Sequence, residues 1–226
     1  MTARSFMLCY ITDRQGLGGS PLLTAIQPAI DSGIDLIQIR EKDLETRPLL
    51  ELARAAVALA RGSGSLVVVN DRLDVALATS AHGVHLGGRS MTAEAVRTAV
   101  PPDFWIGVSC HSAEDVWAAE KAGAGYALLG PIFETTSKRI YGPPLGLNVL
   151  ERAARGVRRM PVLALGGITV ERAAECMAAG AAGIAGISIF QQCASLRERV
   201  RALRRELAAE TRRPNGLSER EPEDSR

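Results

Sequence analysis

Three cations and one carboxylate recur where short apolar runs end. Arg40 and Lys42 close the stretch LIQIREKD (36–43), Asp71 follows LVVVN (66–70), and Lys138 lies in PIFETTSKRIYGPPLG (131–146). In the first stretch Gln38, Arg40 and Lys42 alternate with Ile39 and Glu41, so an extended backbone puts all three on one side. Arginine grips phosphate oxygens through two parallel bonds, whereas lysine acts as a point charge. Magnesium commonly takes one or two carboxylates and completes its shell with water and phosphate oxygens. Arg40, Lys42, Lys138 and Asp71 therefore point to a polyanionic ligand held with a divalent metal. The plainer alternative is local: Arg40 and Lys42 paired with Glu41 and Asp43, and Asp71 a turn former before a short helix.

A second anion signal is ALGGIT (164–169), followed by a helical pattern. Its glycines let backbone N–H groups approach a ligand, and the positive end of a helix favours an anion there. Gly167, with Ile187 and Ser188 of GISIF (186–190), marks a candidate phosphate cradle; a tight turn without a ligand is the alternative. His85 and His111 are candidates for acid–base work but read more simply as locally bonded rim residues, and no base is evident beside Ser109 to make it a nucleophile.

The elements that must position these groups are short and regular. Apolar runs at 8–11, 35–39, 66–69, 83–86, 105–108, 126–129, 162–165 and 183–187 read as eight strands. Between them, segments such as LLELARAAVALA and AEDVWAAEKAG carry apolar residues three or four apart, the period of a helix. Ser112 with Asp115, and Thr169 before Glu171, read as helix starts; Gly33, Gly123 and Gly180 read as stops. Strand and helix in alternation imply parallel strands joined by crossovers. The expected fold is a single-domain α/β eight-stranded parallel (β/α)8 TIM barrel over 1–210, with an open doubly wound sheet as the rival. In such a barrel ligand groups gather at the C-terminal ends of the strands, where the residues above fall. The long segment 131–146 reads as a lid that closes over substrate. The charged stretch 211–226 has no apolar periodicity and reads as a frayed tail.

Composition narrows the partners. A net charge of +2, spread along the chain, is unlike the basic stripe of a nucleic-acid binder, and 4% aromatic content offers few stacking platforms. Cys9, Cys110, Cys176 and Cys193 form no CxxC pair and read as small buried hydrophobes in a reducing compartment. MTARSFMLCY lacks the apolar core of a signal peptide, and no apolar run nears the roughly 18 residues that span a bilayer. A cytoplasmic protein without nucleic-acid or membrane partners is expected. The sequence leaves room for a homo-oligomer without specifying it.

The motifs YITDR, IQIREKD, VVNDRLDVAL, GVHLG, IGVSCHS, GPIFETTSK, ALGGIT and GISIF, in this order, resemble the thiamine-phosphate synthase family over nearly the whole barrel. The resemblance implies an enzyme that joins hydroxymethylpyrimidine diphosphate to thiazole phosphate, forming thiamine phosphate and pyrophosphate with Mg²⁺. Carried onto this chain, Gln38, Ile39, Arg40, Glu41, Lys42 and Asn70 match the stretches that hold the pyrimidine diphosphate. Ser109 and Lys138 match further contacts to it, and Asp71 matches a magnesium ligand. Thr135, Thr136, Ser137, Gly167, Ile187 and Ser188 match the thiazole-phosphate site. Arg40, Lys42 and Lys138 would carry catalysis by stabilising the departing pyrophosphate. The chain departs from the pattern at Gly87-Gly88-Arg89-Ser90, where the synthases carry G-Q-x-D with a second metal carboxylate. That departure, and Glu134 where many synthases have proline, keep a related thiazole tautomerase-like isomerase open. Pro131, standing where such tautomerases have a catalytic histidine, counts against it. A non-catalytic barrel that binds phosphorylated thiamine precursors is the remaining alternative.

Overall fold

The computed structural model describes residues 6–135 and 143–210. Eight parallel strands close into a barrel in chain order: β1 Met7–Ile11, β2 Leu36–Ile39, β3 Leu66–Asn70, β4 Gly83–Leu86, β5 Trp105–Cys110, β6 Tyr126–Leu129, β7 Val162–Leu165 and β8 Gly183–Gly186. The ring closes where Met7 to Tyr10 of β1 pair with Gly183 to Gly186 of β8. Helices α1 Leu23–Asp31, α2 Thr46–Ala60, α3 Leu73–Ala78, α4 Ala93–Ala99, α5 Ala113–Lys121, α6 Gly146–Gly156, α7 Val170–Ala178, α8 Ser188–Gln191 and α9 Leu196–Glu210 cover the outside. The eight expected strands are all present. β8 stops a residue early, at Gly186, because Ile187 turns into α8. β2 begins at Leu36; just before it, the buried Asp35 carboxylate accepts from Leu8 N at 2.8 Å and pairs with Arg204 of α9.

The period-two pattern sorts each strand between two cores. Cys9, Ile11, Leu36, Val68, Tyr126, Leu128, Leu163 and Ala185 fill the barrel interior. Their alternates, such as Leu8, Tyr10, Ile37, Val67 and Val84, pack outward on the helices with Ile26, Ala53 and Leu203. The helix boundaries follow local chemistry. Ser112 Oγ accepts from Asp115 N at 3.0 Å to start α5, and Thr169 Oγ1 accepts from Arg172 N at 3.3 Å to start α7. Gly33, Gly123 and Gly180 end helices in the left-handed region, at φ 84°, 80° and 89°. Cys9, Cys110 and Cys176 are buried, Cys193 is partly so, and all four are free thiols. No helix among the described residues is long and apolar enough to cross a membrane. The expected tail 211–226 lies outside the described residues.

Candidate active site

The C-terminal ends of β2, β3 and β4 surround a cavity of about 320 Å³ lined by Ile39, Glu41, Lys42, Asn70, Asp71, Arg72 and Arg89, among others. Charge converges there. Burial lowers the Lys42 pKa first; the Arg40 and Arg89 guanidiniums lower it further, and Asp71 opposes them. The local pairing that the sequence left open does not occur. Glu41 instead accepts from Thr12 Oγ1 at 2.6 Å and from Arg14 N at 3.1 Å. Asp43 pairs with Arg14 and accepts from Gln15 Nε2 at 3.0 Å. Arg72 is held by Asp74. Burial raises the Glu41 pKa, against the hydrogen bonds from Thr12 and Arg14.

Thr12 is fully buried beyond β1, and its hydroxyl both donates to Glu41 and accepts from Arg40 N at 2.9 Å. That single hydroxyl latches the cationic strand end to β1. On its other side, Asp13 N donates to Gln191 Oε1 at 3.1 Å, and Gln191 Nε2 of α8 donates to Asp13 O at 2.7 Å. The β1 exit is therefore tied both to β2 and to the β8 end. The Ile39 side chain is buried in the outer core, so Ile39 presents only its backbone to a ligand, and the Glu41 carboxylate is already engaged as described.

Asp71 sits at the cavity rim with φ 65°, a left-handed conformation that Asp tolerates, and its N–H donates to His85 O at 2.8 Å. Ser90 Oγ donates to Asp71 Oδ1 and accepts from Gly87 N at 2.7 Å, while Ser90 N donates to Gly87 O at 3.0 Å. The turn after β4 is closed twice over by Ser90 and carries Arg89 at its corner. No cluster of three or more His, Cys, Asp or Glu side chains that would hold a metal by themselves occurs among the described residues. One hard carboxylate beside a diphosphate-sized cationic cavity is still the minimal donor set of a magnesium site that borrows substrate oxygens, so the residues fit Mg²⁺ on that footing.

Deeper in the barrel a hydrogen-bonded chain links two of the expected substrate residues. Ser109 Oγ lies 2.9 Å from His85 Nε2, and His85 Nδ1 lies 3.1 Å from Tyr126 Oη. Burial pushes the Tyr126 hydroxyl pKa well up, and the neighbouring Gln38 amide opposes that rise. Gln38 is itself buried. Gly107 makes the chain possible: a Cβ there would stand 2.1 Å from the Tyr126 ring and 2.5 Å from His85 Nδ1. His111 bonds at the rim, with Nδ1 2.6 Å from Gly130 O.

Across the mouth, β7 ends in Gly166 and Gly167 at φ 96° and 66°. The segment after β6 lies directly over them: a Cβ on Gly167 would meet Glu134 O at 2.6 Å and Phe133 Cβ at 2.8 Å. Ile132 N and Phe133 N donate to Leu165 O and Gly166 O, and Arg172 ties Gly167 O at 2.8 Å while covering the Phe133 ring. Thr135 follows immediately, half-buried; Ile187 and Ser188 follow β8, the neighbouring strand. Thr136, Ser137 and Lys138 lie outside the described residues, as does the middle of the expected lid, 136–142.

The family model for thiamine monophosphate synthase matches residues 8–190. The chain belongs to the thiamine monophosphate synthase family. Within that family it is 41% identical over 194 residues to the thiamine-phosphate synthase of Moorella thermoacetica, covering 86% of this chain and 91% of that one. It is 43% identical over 178 residues to the thiamine-phosphate synthase of Roseiflexus castenholzii, covering 79% and 78%. The solved thiamine phosphate pyrophosphorylase of Pyrococcus furiosus superposes with a TM-score of 0.81 at 34% identity, covering 91% of this chain and 97% of that one. Against the synthase pattern, the sequence did not single out Thr12 or Tyr126 as parts of the site. A threonine after a strand and a tyrosine inside one look like ordinary rim and core residues; only their partners distinguish them.

Proposed function

We propose that this chain is a thiamine-phosphate synthase, coupling hydroxymethylpyrimidine diphosphate to thiazole phosphate. The observation that carries the reading is the convergence of Lys42, Arg89 and Asp71 on one cavity at the β2–β4 ends, with Arg40 near enough to act on the Lys42 ammonium, in a chain of this family. In the reaction, the bond between the pyrimidine methylene carbon and the diphosphate oxygen breaks, and the electron pair leaves with pyrophosphate. The methylene cation is stabilised by the amino-pyrimidine ring, and the thiazole nitrogen supplies the pair for the new C–N bond. Arg40 and Lys42 would stabilise the leaving pyrophosphate electrostatically, which is where catalysis of this type gains most. Lys138 is assigned the same work by resemblance. A magnesium ion, held by Asp71 and substrate oxygens, would supply further charge neutralisation at that pyrophosphate. Gln38 Nε2 and Ser109 Oγ would offer polar groups to the pyrimidine, and Gly167 with Thr135, Ile187 and Ser188 would offer a cradle to the thiazole phosphate, a role that Thr136 and Ser137 share by resemblance.

Pro131 is buried and brings no imidazole to the position where tautomerases act, which supports coupling over isomerisation. The test is direct. Given both phosphorylated substrates and Mg²⁺, the protein should release thiamine phosphate and pyrophosphate in equal amounts, and Lys42→Ala should slow turnover about a hundredfold. Isomerised thiazole phosphate without coupling, or tight binding without turnover, would refute the assignment.

A further inference from the structure

The turn after β4 holds a cation where the synthase pattern has a metal-binding carboxylate nearby. Ser90 takes the carboxylate's place, and its only proton goes to Asp71 Oδ1. Two carboxylates side by side there would repel and would need a cation between them. A serine removes that need: Asp71 is oriented by a neutral donor. Arg89, one residue earlier, lines the same cavity as Lys42 and Asp71 and lies close enough to depress the Lys42 ammonium. Arg72, the other arginine of the lining, is neutralised by Asp74. Glu41, the other acid of the lining, is engaged by Thr12 and Arg14, so Lys42 and Arg89, with Arg40 beside them, outweigh Asp71 before any metal enters.

Resting on the synthase reading, we infer that Arg89 is a diphosphate-binding residue of this chain and takes over part of the charge neutralisation that a second metal carboxylate would otherwise bring through its metal. The site then grips a diphosphate without metal. A guanidinium suits the task because its planar donors match adjacent phosphate oxygens. The position suits it as well: Ser90 closes the turn with its own backbone and hydroxyl, so Arg89 projects from a fixed corner.

The test is calorimetric titration of inorganic pyrophosphate into the intact protein, once with a chelator and once with excess Mg²⁺. Wild type should bind pyrophosphate in chelator. Arg89→Gln should weaken that binding about tenfold or more, the loss expected for a charge-assisted contact, and weaken binding in Mg²⁺ by less. Arg89→Lys should recover part of it. Ser90→Asp should reverse the dependence, binding pyrophosphate poorly in chelator and well with Mg²⁺. Matched thermal melts exclude misfolding, since Arg89 is exposed. No binding by wild type in chelator would overturn the inference, as would an Arg89→Gln variant equal to wild type while Lys42→Ala is weakened. Either result alongside thiamine phosphate formation leaves the synthase reading standing. Failure to bind pyrophosphate even with Mg²⁺, with no coupled product, sinks both.

Discussion

Replacing Tyr126 by Phe tests whether the buried chain behind the mouth positions the pyrimidine contacts. The ring fills the barrel interior beside Leu128 and Leu163, and Phe preserves that volume. What is lost is the hydroxyl facing His85 Nδ1 at 3.1 Å, in a fully buried setting. Removing one partner of a buried hydrogen bond costs about 1–3 kcal/mol. For a chain of this size each kcal/mol shifts the melting temperature by about 2–4 °C, so a fall of roughly 2–12 °C is expected. The functional effect is more specific. Without the Tyr126 hydroxyl, the His85 ring loses one of the bonds that set its tautomer and orientation, and the positioning of Ser109 Oγ, 2.9 Å from Nε2, is weakened. Steady-state kinetics with each substrate varied in turn should show a raised KM for the pyrimidine diphosphate and an unchanged KM for the thiazole phosphate. Calorimetric melts measure the stability term separately. If Tyr126→Phe melts with wild type and binds the pyrimidine diphosphate as tightly, the chain is mere packing and this reasoning fails.

Gly167→Ala should act on the other substrate. Its Cβ would press on Glu134 O and Phe133 Cβ from a backbone at φ 66°, displacing the segment that leads to Thr135. Strain and overpacking together should destabilise by about 1–3 kcal/mol, and the KM for thiazole phosphate should rise while that for the pyrimidine diphosphate holds; equal changes in both would contradict the assignment. Glu120 offers a pH test away from the site. Its carboxylate collects the N–H groups of Arg158, Arg159 and Met160 at 2.9–3.1 Å, and the backbone hydrogen bond from Arg159 leads in holding its pKa below the usual value. The folded pKa lies below the unfolded one, so this stabilisation is present above pH 4.5 and fades as pH falls through the lowered value. Glu120→Gln should therefore cost about 1 kcal/mol near neutrality, read by urea melts, with a gap that narrows in acid. A gap constant with pH would show that charge plays no part.

Much of this architecture was legible from residue order. Strand periodicity, the serine and threonine caps at Ser112 and Thr169, and the glycine stops are local signals, and local signals survive folding. Lys42 and Asp71 could be placed at the mouth because that is where strand ends meet, but the alternation expected over 38–42 does not reach the cavity, whose lining holds Ile39, Glu41 and Lys42 and not Gln38 or Arg40, because β2 ends at Ile39 and Lys42 lies in a turn. What escaped was chemistry made by distant partners. Thr12 matters because Arg40 and Glu41 come to it from 28 and 29 residues away. Tyr126 matters because Gly107 leaves it room and His85 faces it across the interior. Glu41 was grouped with the ligand residues through the family resemblance; it lines the cavity, and its carboxylate is held by Thr12 and Arg14. Spacing along the chain tells which side a residue takes; it does not tell what waits on that side.

The double tether of the β1 exit has one more consequence. Thr12 fastens this strand to the region proposed for the diphosphate, and Asp13 fastens it to α8, which follows the region proposed for the thiazole phosphate. The two ligands would share a party wall. If either ligand stiffens that wall, the other meets it already stiffened, and thermodynamic reciprocity makes the benefit run equally in both directions.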